Sequence, residues 1–250
     1  MKYLLSKLVL GWLPPAVIIP LLPRSNAKMR LRGIYHYARP QLREDLYINH
    51  GEWMAYVGFY RSEYATRLAE MVGPSSELVL VEAHPKNYER LVKGLEGASN
   101  RERIHALNLA LWTHRGVVPF EVYDEPNMTE FHKVAVSVGK SHYADSAQVV
   151  EVPCDSFDNV FERFPLIRHV FITINGAELE ALRGMTKYLS TPGASVWIKS
   201  PFRNKETGEM MYKEVAQNLR ERGLQVFVAA KTRGVATDAM GKVYAYRPWA

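Results

Sequence analysis

The chain has a single cysteine, Cys154, among 250 residues. One thiol excludes an intramolecular disulfide and any multi-cysteine metal site, and it fits a reducing compartment. Its eight histidines are scattered, and none forms an i, i+4 pair or a Cys/His set at the spacing zinc prefers. We therefore expect no metal. No Gly-x-Ser-x-Gly elbow or Walker loop occurs, and there is no internal repeat or low-complexity tract. Long hydrophobic runs are missing too. The uncharged stretch from Leu8 to Pro23 has sixteen residues, short of the roughly 20 a transmembrane helix needs. Pro14, Pro15 and Pro20 would also interrupt a helix there.

With 32 basic and 26 acidic residues the net charge is +6. Such a mild excess permits contact with phosphates or anionic lipid without demanding it. Apolar residues make up 47% and charged residues 23%, enough to bury a real core in one α/β domain with an appendage. Residues 1–33 read as an apolar and basic arm and 34–250 as the domain. Residues 8–23 admit three readings: a proline-rich arm packed on the domain, a membrane-surface or partner-binding segment, or a signal peptide with Ser25 and Ala27 near the cleavage point. Arg24, Lys28, Arg30 and Arg32 form a basic cluster that reads as solvated surface.

From residue 52 short apolar runs alternate with amphipathic stretches, the pattern of a parallel sheet covered by helices. Strands are expected at Trp53–Val57, Leu78–Val81, Ile104–Leu107, Val117–Val122, Val149–Val152, His169–Ile174 and Ser195–Ile198. Two late strands, Gln225–Val228 and Val243–Tyr246, could pair antiparallel. Tyr244, Tyr246, Arg247 and Trp249 read as a closing strand rather than a platform for bases. Helices are expected at Ser62–Val72, from Pro85, from Glu178 to about Leu189, and at Met211–Arg222. Residues 125–146 have the weakest periodicity and read as a loop or insertion.

The most informative stretch is Tyr56-Val57-Gly58-Phe59-Tyr60-Arg61-Ser62, followed by a helix, a strand and Glu82. A glycine in the first strand-to-helix turn lets backbone approach a ligand, and the helix N-terminus offers unpaired N–H groups. An acid ending the second strand can accept two ribose hydroxyls. Gly58 and Glu82 lie 24 residues apart, near the roughly 20 that geometry expects. A plain α/β turn would read the same way. His84, beside Glu82, could touch an adenine ring or simply sit in a solvent-facing loop.

YVGFYRSEYATRLAEMVGPSSELVLVEAHP resembles, without a gap, the first cofactor block of FkbM-family methyltransferases. ITINGAELEALRGM resembles that family's second block, with Gly176, Ala177, Glu178, Leu182, Arg183 and Gly184 at the family's spacings. NLALW (108–112) and VPCDSFDNV (152–160) match weaker blocks. The resemblance implies a class I Rossmann-like methyltransferase, an α/β fold with a mostly parallel seven-stranded sheet, a terminal antiparallel strand and helices on both faces. It implies S-adenosylmethionine as cofactor, held by Tyr56, Gly58, Phe59, Tyr60, Ser62, Glu82, Ala83 and Ala110. The acceptor would be the hydroxyl of a sugar, glycolipid or small metabolite, faced by Thr173, Asn175 and Lys199. Such an enzyme belongs in the cytoplasm, with the arm as a candidate contact to a membrane surface or a protein. A nucleic-acid acceptor would rest on the mild positive charge alone.

Departures from the family pattern matter as much. Tyr56, Thr173, Asn175 and Lys199 stand where the family carries acids, and Ser62 replaces a glycine. Acids ordinarily hold a cationic sulfonium cofactor, so their loss should weaken binding or change its pose. The rival expectation is a catalytically degenerate homologue that binds or scaffolds a partner. An open cavity at Glu82 would favour the enzyme, and an aromatic plug of Tyr56, Phe59 and Tyr60 the rival. Glu178 and Arg183 read as a helix-terminal charge and a surface ion pair.

Overall fold

Leucine- and valine-rich runs form the strands, and stripes at helical spacing form the helices that cover them. The computed structural model describes residues 19, 22, 25–38, 51–59, 61–123, 133–134, 147–204, 207–229 and 241–249. In chain order the elements are α1 (Asn26–Ala38), β1 (Trp53–Val57), α2 (Ser62–Val72), β2 (Leu78–Glu82), α3 (Pro85–Gly94), β3 (Ile104–Asn108), β4 (Ala110–Leu111), β5 (Gly116–Tyr123) and β6 (Lys133–Val134). They continue with β7 (Ala147–Asp155), α4 (Phe157–Arg163), β8 (Ile167–Ile172), α5 (Glu178–Arg183), α6 (Thr186–Ser190), β9 (Ser195–Lys199), α7 (Met211–Glu221), β10 (Gln225–Val228) and β11 (Lys242–Tyr246).

Seven strands form the main sheet in the order β10-β11-β9-β8-β1-β2-β3. Strands β3, β2, β1, β8 and β9 run parallel, and the last strand, β11, is antiparallel to both neighbours. The order of strands reverses at β1, so a crevice is expected beyond the carboxyl ends of β1 and β8. Alternation along the strands divides the core. Ala55, Val57, Val79 and Val81 pack with α4 to α7 on one face. Met54, Tyr56, Leu78 and Leu80 pack with α1, α2 and α3 on the other.

The structure corrects three expectations. A second sheet, β4-β7-β5-β6, takes Gly116–Tyr123 and Ala147–Asp155 out of the main sheet into a long antiparallel ladder. Most of 125–146 lies outside the described residues, but Val134 pairs with Phe120 on β5. The single helix expected from Glu178 is two, broken at Gly184. A Cβ there would collide with the carbonyl oxygen of Trp112, and the Asp158 carboxylate accepts the Lys187 and Tyr188 N–H groups at 2.8 and 2.9 Å to start α6.

The third correction concerns the basic cluster, which is not solvated surface. Lys28 and Arg32 are buried on α1 while Arg30 is exposed, and Arg24 lies outside the described residues. Lys28 donates to the Leu22 carbonyl at 2.8 Å, and the Arg32 guanidinium lies beside Tyr244. Helix α1 runs across residue 33, where a Cβ would overlap the Phe227 ring. Of residues 8–23 only Ile19 and Leu22 are described, and Ile19 is fully buried. No helix among the described residues is long and apolar enough to cross a membrane.

Candidate functional site

Register places the site. Tyr56, Phe171, Trp197, Tyr244 and Phe227 are successive partners across β1, β8, β9, β11 and β10, an aromatic row on one sheet face. Tyr56 stacks on Phe171 at 5.2 Å between ring centroids, and Phe171 meets Trp197 at 5.9 Å. Two residues nearer the carboxyl ends, the same face carries Glu82, Gly58, Thr173, Lys199 and Lys242. All five line a cavity of about 820 Å³, within the range of small-molecule sites.

Each wall residue is held by local chemistry. Gly58 has φ of 80°, a left-handed conformation that costs glycine little, and a Cβ there would strike the Thr173 carbonyl. The Thr173 hydroxyl reaches the carbonyl oxygens of Gly58 and Val57 at 3.1 and 3.3 Å, so it fastens the turn instead of standing free for an acceptor. Glu82 is almost fully buried and accepts the His84 N–H at 2.9 Å. Burial pushes its carboxyl up to about 7, against the hydrogen bonds from His84 and Asn87. Asn108 braces this corner by donating to the Glu82 carbonyl at 2.9 Å. His84 is buried, not solvent-facing, and its Nδ1 accepts the Asn87 N–H to cap α3.

Of the residues named from the sequence, Tyr56, Gly58, Phe59, Glu82, Ala83, Ala110, Thr173, Asn175 and Lys199 come together around the cavity. Ser62 does not line it: its hydroxyl is packed where a Cβ on Gly94 would fall. Tyr60 lies outside the described residues. Tyr56, Thr173, Asn175 and Lys199, where the family resemblance implies acids, therefore all line one cavity. Tyr56 and Phe59 lie side by side with their rings tilted, 4.7 Å between centroids, and both line the cavity without closing it. Glu178 is not among the lining residues. It is fully buried, takes the Gly176 N–H on Oε1 at 3.2 Å and has no partner for Oε2 among the described residues. Burial pushes its carboxyl to about 8. Arg183 pairs with Glu180 at 2.8 Å on the surface.

Sequence reasoning missed Phe120 and Val134 from the second sheet, Trp197, and Lys242. Lys242 enters only through the antiparallel register of β11 with β9, which spacing along the chain does not reveal.

The sheet order, the glycine turn after β1 and the acid ending β2 define a class I, Rossmann-like methyltransferase fold. The family model described as Methyltransferase FkbM domain matches residues 52–226, and the chain belongs to that family. The FkbM methyltransferase from Methylobacillus flagellatus KT is similar in structure, with a TM-score of 0.51 at 12% identity, covering 93% of this chain and 58% of that one. This chain thus spans less than two thirds of that neighbour's length. The precorrin-6y C5,15-methyltransferase from Geobacter metallireducens GS-15 gives a TM-score of 0.47 at 14% identity over 87% of this chain and 88% of that one. The fibrillarin from Aeropyrum pernix, solved with natively bound S-adenosyl-L-methionine, gives 0.47 at 13% over 78% and 66%. No curated protein matches the sequence.

Proposed function

We propose that the chain is an S-adenosylmethionine-dependent methyltransferase that methylates a hydroxyl oxygen on a sugar, glycolipid or small metabolite. The observation that carries this reading is the open cavity with Glu82 in its wall, beside a glycine turn that only glycine fits. Residues at the nucleoside end suit the cofactor: the Glu82 carboxylate would accept the ribose hydroxyls, and Ala83, Leu109 and Ala110 offer an apolar bed for a base. Residues at the amino-acid end suit it less, because Tyr56 replaces an acid and Arg61 lines the same cavity. We therefore expect weak but measurable affinity.

When bound, the cofactor supplies an activated methyl group. The chain's part is positioning: Thr173 holds the β1 turn in place, and Asn175 and Lys199 on the adjoining wall can orient a hydroxyl for in-line attack. The rival reading, a degenerate homologue that binds or scaffolds a partner, would be favoured by an aromatic plug; Tyr56 and Phe59 do not form one, and Tyr60 lies outside the described residues.

Calorimetric titration with S-adenosylmethionine and S-adenosylhomocysteine tests the proposal. Micromolar binding to either is expected, weakened roughly tenfold to a hundredfold by Glu82→Ala, the worth of hydrogen bonds to a charged group. Absence of heat and of any thermal shift at millimolar ligand would overturn it.

A further inference from the structure

Glu178 has no part in the methyl-transfer reading, yet it is fully buried at the start of α5. Its Oε1 takes the Gly176 N–H at 3.2 Å. The other oxygen, Oε2, makes no hydrogen bond of ordinary length among the described residues. Ser200 is equally buried, and its hydroxyl stands beside the Glu178 carboxyl and favours the charged form. Ser200 Oγ likewise makes no hydrogen bond of ordinary length among the described residues. Buried polar atoms are ordinarily paired, and two such orphans side by side complete each other.

Position gives this contact its meaning. Strands β8 and β9 run parallel, and their last register pair is Ile172 with Ile198. Beyond that pair the chain leaves the ladder in two turns, and both turns line the cavity. Asn175 and Ala177 flank Gly176, Lys199 and Pro201 flank Ser200, and all four are wall residues. The second turn is anchored on its far side, where the Ser200 N–H donates to the Gly241 carbonyl at 2.6 Å. Glu178 thus reaches from one turn to the other behind the wall.

We infer that Glu178 is a positioning residue: its carboxyl ties the turn after β8 to the turn after β9 and so sets the spacing of Asn175 and Lys199 in the cavity wall. A neutral carboxyl suits the task, because it accepts from Gly176 on one oxygen and donates its O–H to Ser200 from the other. Burial keeps it neutral, pushing it up to about 8 from 4.5, and the charge of Glu180 on the same helix adds to that. Glu180 is itself paired with Arg183, and α7, packed on α5, turns buried Met211, Val215 and Leu219 inward. Parting the turns would let water reach the carboxyl and return it toward 4.5. The tie should therefore loosen as pH rises from about 5 to 8, by up to about tenfold per pH unit, and change no further above 8. That Asn175 and Lys199 orient a methyl acceptor rests on the methyl-transfer reading; the tie itself does not.

Hydrogen–deuterium exchange of the full chain from pH 5 to 8, corrected for the intrinsic pH dependence of exchange, tests the tie. Peptides spanning 173–178 and 199–203 should lose protection together by about tenfold or more across that window, well beyond any loss in β1 and β2. Glu178→Gln keeps an acceptor for Gly176 and a donor for Ser200, so both turns should hold their protection level over the same range. Glu82 also titrates there, and the comparison with Glu178→Gln removes its share. Ser200→Ala should speed exchange in both turns severalfold at pH 5, with β1 and β2 unchanged as the sign of an intact fold. Equal pH dependence in wild type and Glu178→Gln, or turns whose protection tracks that of β1 and β2, would overturn the tie. S-adenosylhomocysteine is titrated in parallel. Its failure to bind with pH-dependent exchange intact removes the methyl-transfer reading alone, and binding with pH-independent turns removes the tie alone.

Discussion

Two buried carboxyls and two buried imidazoles set how stability responds to pH. Burial pushes Glu82 up to about 7 and Glu178 up to about 8, from 4.5. Both gain protons on folding, so their contribution is full below pH 4.5 and lost as pH rises through their folded values. Burial has the opposite effect on His36, pushed down to about 4 from 6.5, and on His169, also held well below 6.5. Their contribution is present above 6.5 and fades as pH falls. Between pH 4.5 and 6.5 the two pairs oppose each other, and above 6.5 only the carboxyls titrate. Stability should therefore be nearly flat from about pH 5 to 6.5 and fall from 6.5 to 8, with a slope of at most about 1.4 kcal/mol per pH unit for each proton. Glu178→Gln keeps the hydrogen bond from Gly176 and removes the proton, so it should melt higher than wild type at pH 8.5 and lose most of the slope between 7 and 8. A variant whose melting temperature tracks wild type across that range would show that Glu178 does not titrate there.

At the scale of elements, α6 depends on a neighbour for its start. Met185 makes no side-chain cap, and the Asp158 carboxylate of α4 takes the two N–H groups instead. Asp158→Ala should cost about 1 to 2 kcal/mol, the usual worth of a lost N-cap, read as a lower denaturant midpoint with unchanged slope. A loss under about 0.3 kcal/mol would mean that water caps the helix equally well. This pair also explains what the sequence could not disclose. The stripe from Glu178 to Leu189 reads as one helix because its apolar spacing continues through the break, whereas the break comes from a tertiary contact at Gly184. The main-sheet strands and α2 were legible because their apolar runs, helical spacing and Gly73 stop are local. The second sheet was not: β5 and β7 alternate like main-sheet strands, and only long-range pairing separates them. For the cavity, Gly58 and Glu82 were legible from turn chemistry, while Lys242 and Trp197 reach it through register.

For the whole molecule, the position of charge matters more than its net value of +6. The cavity wall holds Arg61, Arg67, Lys199 and Lys242 against Glu63 and Glu82, and burial leaves Glu82 only partly ionised near neutral pH. At the four positions where the family resemblance implies acids, this chain presents an aromatic, two neutral polar side chains and a lysine. A cation entering such a site meets repulsion that a neutral ligand of the same shape escapes. S-adenosylmethionine carries a sulfonium charge that S-adenosylhomocysteine lacks, so the demethylated form should bind more tightly. One unit charge acting over several ångströms in a partly hydrated site is worth about 1 kcal/mol, or roughly fivefold in affinity. Added salt should shrink the ratio, because exposed lysines and arginines are screened. Raising the pH from 6 to 8 should shrink it as well, since Glu82 gains its charge through about 7. Paired titrations of the two ligands at low and high ionic strength, each at pH 6 and pH 8, read all three effects. Tighter binding of S-adenosylmethionine at low salt would show that the cavity still supplies negative charge where the sulfonium lies.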